Sequence, residues 1–192
     1  SGHVRVYQWD PALDGGNGDW DKLGGDIDGA LLHDWLGFSI ALSSDGTILA
    51  AGAHAYSGQN RGLVRVFEYS GGSWGQLGSD IDGEALSDYS GHSVALSSDG
   101  TILAVGALYN DGTASNAGHV RVHQWDPTAN SGNGDWTQMG SDVDGEAAVD
   151  YSGTAVSLSS DGTILAVGAP VNDGSGGTGT DSGHVRVYQW DP

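Results

Sequence analysis

Three short strings recur along this chain, and the recurrence limits what it can fold into. GHVRVYQWDP fills residues 2–11 and again 183–192, with a near copy, GHVRVHQWDP, at 118–127 and a looser one, GLVRVFEY, at 62–69. SSDGTILA stands at 43–50, 97–104 and 159–166, and Asp-(Ile/Val)-Asp-Gly at 26–29, 80–83 and 142–145. The valine that follows His or Leu lies at 4, 64, 120 and 185, in steps of 60, 56 and 65 residues. Spacing of that size means one supersecondary unit used several times over.

The unit reads as four strands. In the middle copy, residues 93–97 form a first strand, and Asp99-Gly100 is a strong hairpin signal between apolar runs. Residues 101–107 are apolar on both faces, which predicts a second strand buried on both. The third, 119–125, alternates: Val120 and Val122 share one face, Arg121, His123 and Trp125 the other. Residues 136–139 make the fourth, and Asp142-Val143-Asp144-Gly145 reads as the turn to the next copy. No segment carries a sustained 3.6-residue apolar period, so helix is nearly absent. The predicted fold is therefore all-β, with β-propeller blades of four antiparallel strands. The array is expected to be incomplete: a partial blade at 1–28, full blades at 37–80 and 91–142, and a partial blade at 153–192. A β-solenoid is the alternative, but its coils run only to about 20–30 residues. Starting and stopping in a third strand, the array should have open edges and be incomplete as a folding unit.

Charge narrows the partners. Against 25 acidic residues stand 6 basic ones, a net charge of −19. Nucleic acid needs a basic footprint and is excluded as a partner, and anionic membrane surfaces are disfavoured. No run is long enough to insert in a bilayer. With no cysteine, the sequence gives no redox signal. The expected partners are a protein, or other copies of the same repeat, with a glycan as the further class.

The string GHSVALSSDGTILAVGA at 91–107 resembles the FG-GAP repeat of integrin-alpha-type β-propellers. Gly168-Ala169-Pro170 matches the second signature of that family, while Leu36-Gly37, Ser90-Gly91 and Ser152-Gly153 keep only the glycine of the first. The resemblance implies a propeller, commonly extracellular and engaged in recognition or adhesion. It also implies a calcium cage between first and second strands. Here that loop is only Ser-Asp-Gly, at 44–46, 98–100 and 160–162, and one carboxylate cannot supply calcium's ~6–8 oxygens. That cage is not carried over.

Asp80, Asp82, Glu84 and Asp88, repeated as Asp142, Asp144, Glu146 and Asp150, look like a second cation loop, but the spacing fails the EF-hand pattern. Calcium is thus admitted there, with a self-bonded turn preferred and no cofactor expected. His3, His119 and His184 hold one position on successive units, so they should point apart and serve packing rather than zinc. Arg5, Arg65, Arg121 and Arg186 also share one position, between two valines, and are expected to form structural ion pairs with acids or turn carbonyls. Trp9, Trp125 and Trp190 recur at one place and Trp74 and Trp136 at another, as inter-blade packing residues. Nothing breaks the symmetry of the repeat as a catalytic centre would. The function expected from sequence is a non-catalytic extracellular structural or adhesive module, not an enzyme; the alternative is a lectin-like or cation-dependent ligand-binding propeller.

Overall fold

The computed structural model describes residues 2–30, 32–55, 60–174 and 181–191; Ser1 and Pro192, the outer ends of the two partial units, lie outside them. The chain is all-β, laid out as successive antiparallel sheets. The first unit holds β1 (His3–Val4), β2 (Tyr7–Asp10), β3 (Asp19–Lys22) and β4 (Ile27–Asp28), with β1 paired to β4 and β2 to β3. The second runs β5 (Ser39–Leu42), β6 (Ile48–Gly52), β7 (Leu63–Ser70) and β8 (Ser73–Gln76) in that order, with β9 (Ile81–Asp82) folding back on β7. The third repeats this as β10 (Ser93–Leu96), β11 (Ile102–Ala107), β12 (His119–Asp126), β13 (Asp135–Gln138) and β14 (Val143–Asp144). The last described sheet is β15 (Ala155–Leu158), β16 (Ile164–Ala169) and β17 (His184–Gln189).

The hairpins form where Asp-Gly predicts them, and the chemistry is local. Asp99 Oδ1 accepts hydrogen bonds from Ser97 Oγ (2.6 Å), the Thr101 amide (3.0 Å) and Thr101 Oγ1 (2.9 Å), closing the β10–β11 turn. Gly100 sits at φ +72° in that turn, a region that side chains with a Cβ rarely adopt. The same bonds recur around Asp45 and Asp161.

The Asp-x-Asp-Gly segments are not simple turns, as the sequence suggested. Their central Ile27 and Ile81 are buried, and each segment pairs as a fifth short strand with the head of its own third strand. An apolar side chain between two acids anchors the segment to the core. The third unit therefore runs to Asp144.

Core lies between sheets rather than within one. Val64 and Val66 of one unit meet Leu103 and Val105 of the next, and Val120 meets Leu165 and Val167 one step on. The first strands lie side by side, β10 between β5 and β15. Ser39 Oγ and Ser93 Oγ each donate 2.7 Å hydrogen bonds across a seam, to the carbonyls of Gly91 and Gly153. The tryptophans bridge the same seams: Trp74 Nε1 donates to the Leu23 carbonyl (2.8 Å) and Trp136 Nε1 to the Leu77 carbonyl (3.0 Å). Trp125 lies over Gly78 and Trp190 over Gly140 of the preceding unit. Trp9 differs. It is 49% exposed and packs edge-on against Trp20 of its own unit, centroids 5.6 Å apart.

Candidate functional site

β12 opens with His119 at the seam between the second and third sheets. Register sets Asp144 of β14 opposite it, and Asp142 lies two residues earlier. Glu84 reaches across from the turn that follows β9 of the preceding unit. Nδ1 of His119 thus faces Asp142 at 3.7 Å, Glu84 at 3.9 Å and Asp144 at 4.0 Å. The side chain is 1% exposed, yet Nδ1 makes no hydrogen bond. Burial pushes the imidazole below its ordinary pKa, outweighing the pull of Asp142 and Glu84. The ring is neutral at pH 7, so it cannot itself balance the acids around it.

Arg121, two residues along β12, completes the group. Its Nη2 donates to the Asp82 carbonyl (2.6 Å) across the seam, and Nη1 lies 3.9 Å from Glu84. Three carboxylates and one guanidinium therefore surround a neutral, unbonded histidine nitrogen. Among the described residues, Glu84, His119 and Asp142 bring possible ligand atoms together, all within 4.8 Å of one another.

The following seam repeats the pattern. His184 Nδ1 lies 3.9 Å from Glu146 and 3.2 Å from Asn172 Oδ1, and Arg186 pairs with Glu146. These residues border a small cleft with Asp150. The earlier seam lacks the pattern: Ala30 stands for the glutamate and Leu63 for the histidine, and Arg65 pairs within its own unit with Asp80 at 2.8 Å. Arg5 likewise pairs with Asp26 at 2.9 Å, and together with Lys22 holds that carboxyl well below the usual range. The four arginines thus divide: two stay in their own sheet, and the two that follow a glutamate cross the seam.

The acids of the Asp80–Asp88 loop are dispersed rather than gathered. Asp80 serves Arg65, Asp82 offers its carbonyl to Arg121, Glu84 faces His119, and buried Asp88 accepts from the Ala85 amide (2.9 Å) and Asn110 Nδ2 (3.0 Å). The reading of His119 as packing alone missed the acids it faces. A signal was present: glutamate and histidine occur together at two seams and are lost together, as Ala30 and Leu63, at the third. A second feature, an aromatic row, runs from Trp35 through His54 and Tyr89 to Tyr109 and Tyr151, each neighbouring pair of rings 4.9–5.4 Å apart.

No protein-family model matches the chain, and no curated protein does. Solved structures do match. One is a "putative 6-phosphogluconolactonase" from Bacteroides uniformis, 15% identical, with a TM-score of 0.60 over 97% of this chain. This chain spans 44% of that protein's length. At that identity the likeness speaks for the fold alone. It still corrects the expectation of a non-catalytic adhesion or structural module: a protein on which nearly the whole chain superposes carries an enzyme's name, so repetition of the fold is no ground for excluding catalysis.

Proposed function

We propose that this chain forms part of a β-propeller hydrolase in which the Glu84–His119–Asp142 seam holds a divalent cation and Arg121 receives a substrate oxygen. The observation that carries the reading is the buried, unbonded Nδ1 of His119 facing three carboxylates. Arg121 stands 3.9 Å from Glu84 and Arg61 bonds the Glu84 backbone carbonyl at 2.9 Å, and neither hydrogen-bonds the carboxylates that face the ring. A buried nitrogen lone pair beside carboxylates suits a divalent ion that takes imidazole and carboxylate together, such as zinc or manganese, with ligand bonds of about 2.0–2.2 Å for zinc. Ligand atoms on opposite sides of such an ion lie about 4 Å apart, close to the spacing found here. Glu84 is 45% exposed, with room to close the remainder.

A cation held there by Glu84, His119 and Asp142 would lower the pKa of a bound water, and the Arg121 guanidinium beside it would stabilise charge developing on a carbonyl oxygen. In ester hydrolysis the water oxygen bonds the carbonyl carbon, the ester C–O bond breaks, and the water's proton ends on the departing oxygen. The name of the structural neighbour supplies the first substrate class to try, a sugar lactone. With a net charge of −19, an uncharged lactone approaches more readily than a phosphorylated one. The propeller itself is supported by the side-by-side first strands, by the cores between sheets, and by the FG-GAP-like Gly168-Ala169-Pro170.

Calorimetric titration of the protein and of His119→Ala with Zn²⁺ or Mn²⁺, beside pH-stat assay of lactone hydrolysis, tests the reading. Expected are cation binding that His119→Ala removes at this seam, and hydrolysis that stops in chelator. Protein that binds neither ion overturns the seam site. Binding without hydrolysis keeps the site and overturns the hydrolase.

A further inference from the structure

The aromatic row lies inside the array, on its inner seams, and takes no part in the chemistry of the cation seat. Tyr89 leads into β10, Tyr109 follows the end of β11, and Tyr151 leads into β15. Their rings meet edge to face, Tyr109 standing 4.9 Å from Tyr89 and 5.2 Å from Tyr151. All three are half-buried, so each keeps part of its surface open to solvent. Tyr89 and Tyr151 hold their places with φ at +56° and +54°, a region that costs a bulky side chain energy. Asn60 Nδ2 donates to the Tyr89 hydroxyl at 2.9 Å, which fixes the phenol and leaves its own proton to donate. His54, stacked 5.4 Å from Tyr89, is 6% exposed, and its Nδ1 makes no hydrogen bond among the described residues. His92, with its ring 5.8 Å from that of His54, has an equally unpartnered Nδ1. The row lies at the same end of the sheets as the cation seat. Register sets Ala107 opposite His119, and Tyr109 follows two residues on. The Tyr109 amide donates to the Asp88 carbonyl at 3.3 Å, and the Asp88 carboxylate is close enough to act on His119 electrostatically.

We propose that this row is a sugar-binding platform, and that the substrate is a lactone at the end of an oligosaccharide whose further units lie along Tyr89, Tyr109 and Tyr151. The lactone end rests on the hydrolase reading; the platform stands on its own geometry. A pyranose offers an apolar C–H face ringed by hydroxyls, and a half-buried tyrosine offers the match, an apolar ring with a polar tip. Ring steps of 4.9 and 5.2 Å are close to the length of one pyranose unit, so successive rings meet successive sugars. A row suits an extended ligand, whereas a quaternary ammonium wants rings gathered about one point. The acids next to the row are also already engaged. Asp88 accepts from the Ala85 amide and Asn110, and Asp150 from the Ala147 amide and Asn172, which leaves little counter-charge for an organic cation. A net charge of −19 repels polyanions and leaves neutral sugars unhindered. Sugar hydroxyls both donate and accept, so either tautomer of His54 or His92 can take one as the partner its Nδ1 lacks.

Calorimetry and saturation-transfer NMR with maltotriose, cellotriose and xylotriose test the platform. The runs are made in chelator, so the outcome does not depend on the cation. Expected is saturable binding of at least one trisaccharide, with magnetisation passing from tyrosine ring protons to sugar C–H protons. Tyr109→Ala should weaken it roughly tenfold, the worth of one ring contact, while Tyr109→Phe, which keeps the ring, should retain most of the affinity. Tyr151→Ala gives the same reading from the other end of the row, and melts of all three variants separate lost binding from lost folding. Failure of all three sugars to bind, affinity unmoved in both folded alanine variants, or binding of choline in place of sugar overturns the platform. In a second arm, with Zn²⁺ or Mn²⁺ present, hydrolysis of the aldonic lactone of the bound trisaccharide is compared with that of gluconolactone. The longer lactone should show the lower KM in the wild type, and Tyr109→Ala should remove that advantage with kcat little changed. Sugar binding without hydrolysis of either lactone keeps the platform and overturns the hydrolase. Hydrolysis with equal KM for the two lactones overturns the link between platform and cation seat.

Discussion

Arg65 and Arg121 hold one position in the repeat and meet different partners, so the same substitution should differ between them. Arg65 is 12% exposed and forks onto both oxygens of Asp80, at 2.9 and 2.8 Å. Removing it leaves a half-buried carboxylate without its cation. Arg65→Met is expected to cost about 2 kcal/mol, below the ~3–5 kcal/mol of a fully buried pair because Asp80 keeps access to water. Arg121 bonds a carbonyl and stands loosely by Glu84, so Arg121→Met should cost about 1 kcal/mol, the worth of one ordinary hydrogen bond. Arg5 and its partner lie open to solvent, and Arg5→Met should leave the melt nearly unmoved. Denaturant melts of the three variants check the order. The sequence offered all four arginines acids or turn carbonyls, but not which of them each would meet. That choice depends on whether a glutamate reaches across the seam, which is set by the turn after β9 and its equivalents rather than by the strand that carries the arginine.

Within β12 the inward face carries His119, Arg121 and His123, and this makes the strand sensitive to acid. Burial, helped by neighbouring Arg121, pushes His123 down to about 4. Burial, helped by His92, does the same to His54 in the preceding unit. Both take up protons near pH 6.5 when unfolded, so the unfolded state binds more protons between there and about pH 4. Stability is then full above pH ~6.5 and falls as pH drops through that window, by a few kcal/mol in all. The turn aspartates act lower. Hydrogen bonds from Ser159 and Thr163 hold Asp161 at about 2, so its contribution is present above the unfolded value of ~3.8 and is lost only below it. A Tm-against-pH curve should therefore bend between pH 6.5 and 4, and His123→Gln should flatten part of that bend. A flat curve would show the histidines to be solvated. The strands themselves were readable from their period of two and from Asp-Gly. The fifth strands β9 and β14 were not, because two residues are too short to display any period, and their pairing is set by the head of the third strand, against which Ile81 is buried and Val143 half-buried.

Across the whole molecule, what specifies the arrangement is the close approach of successive sheets, and there sequence reading was stronger on burial than on chemistry. The apolar run at 101–107 signalled a strand covered on both faces, and β11 is indeed buried along its length. The seam site was hidden for a physical reason: its ligating groups come from two units and lie 35 and 58 residues from Glu84, at His119 and Asp142. Only the stacking of units joins them. At that seam Gly52 rests against the Gly91 carbonyl; at the following one the same stacking hangs on Gly106, whose missing side chain lets β11 rest against the Gly153 carbonyl while Ser93 Oγ bonds the same oxygen at 2.7 Å. A methyl there must push two sheets apart, since the atom it meets is backbone and cannot swing aside. The shift would loosen the Val120, Leu165 and Val167 cluster and draw Glu146 away from His184. Gly106→Ala is expected to cost about 3 kcal/mol, the upper part of the range for overpacked cores. Gly168→Ala, with only Ala155 nearby, should cost almost nothing. Chemical denaturation of the two variants side by side measures the difference, and equal stabilities would mean that the seams yield and that sheet spacing is not what positions the site.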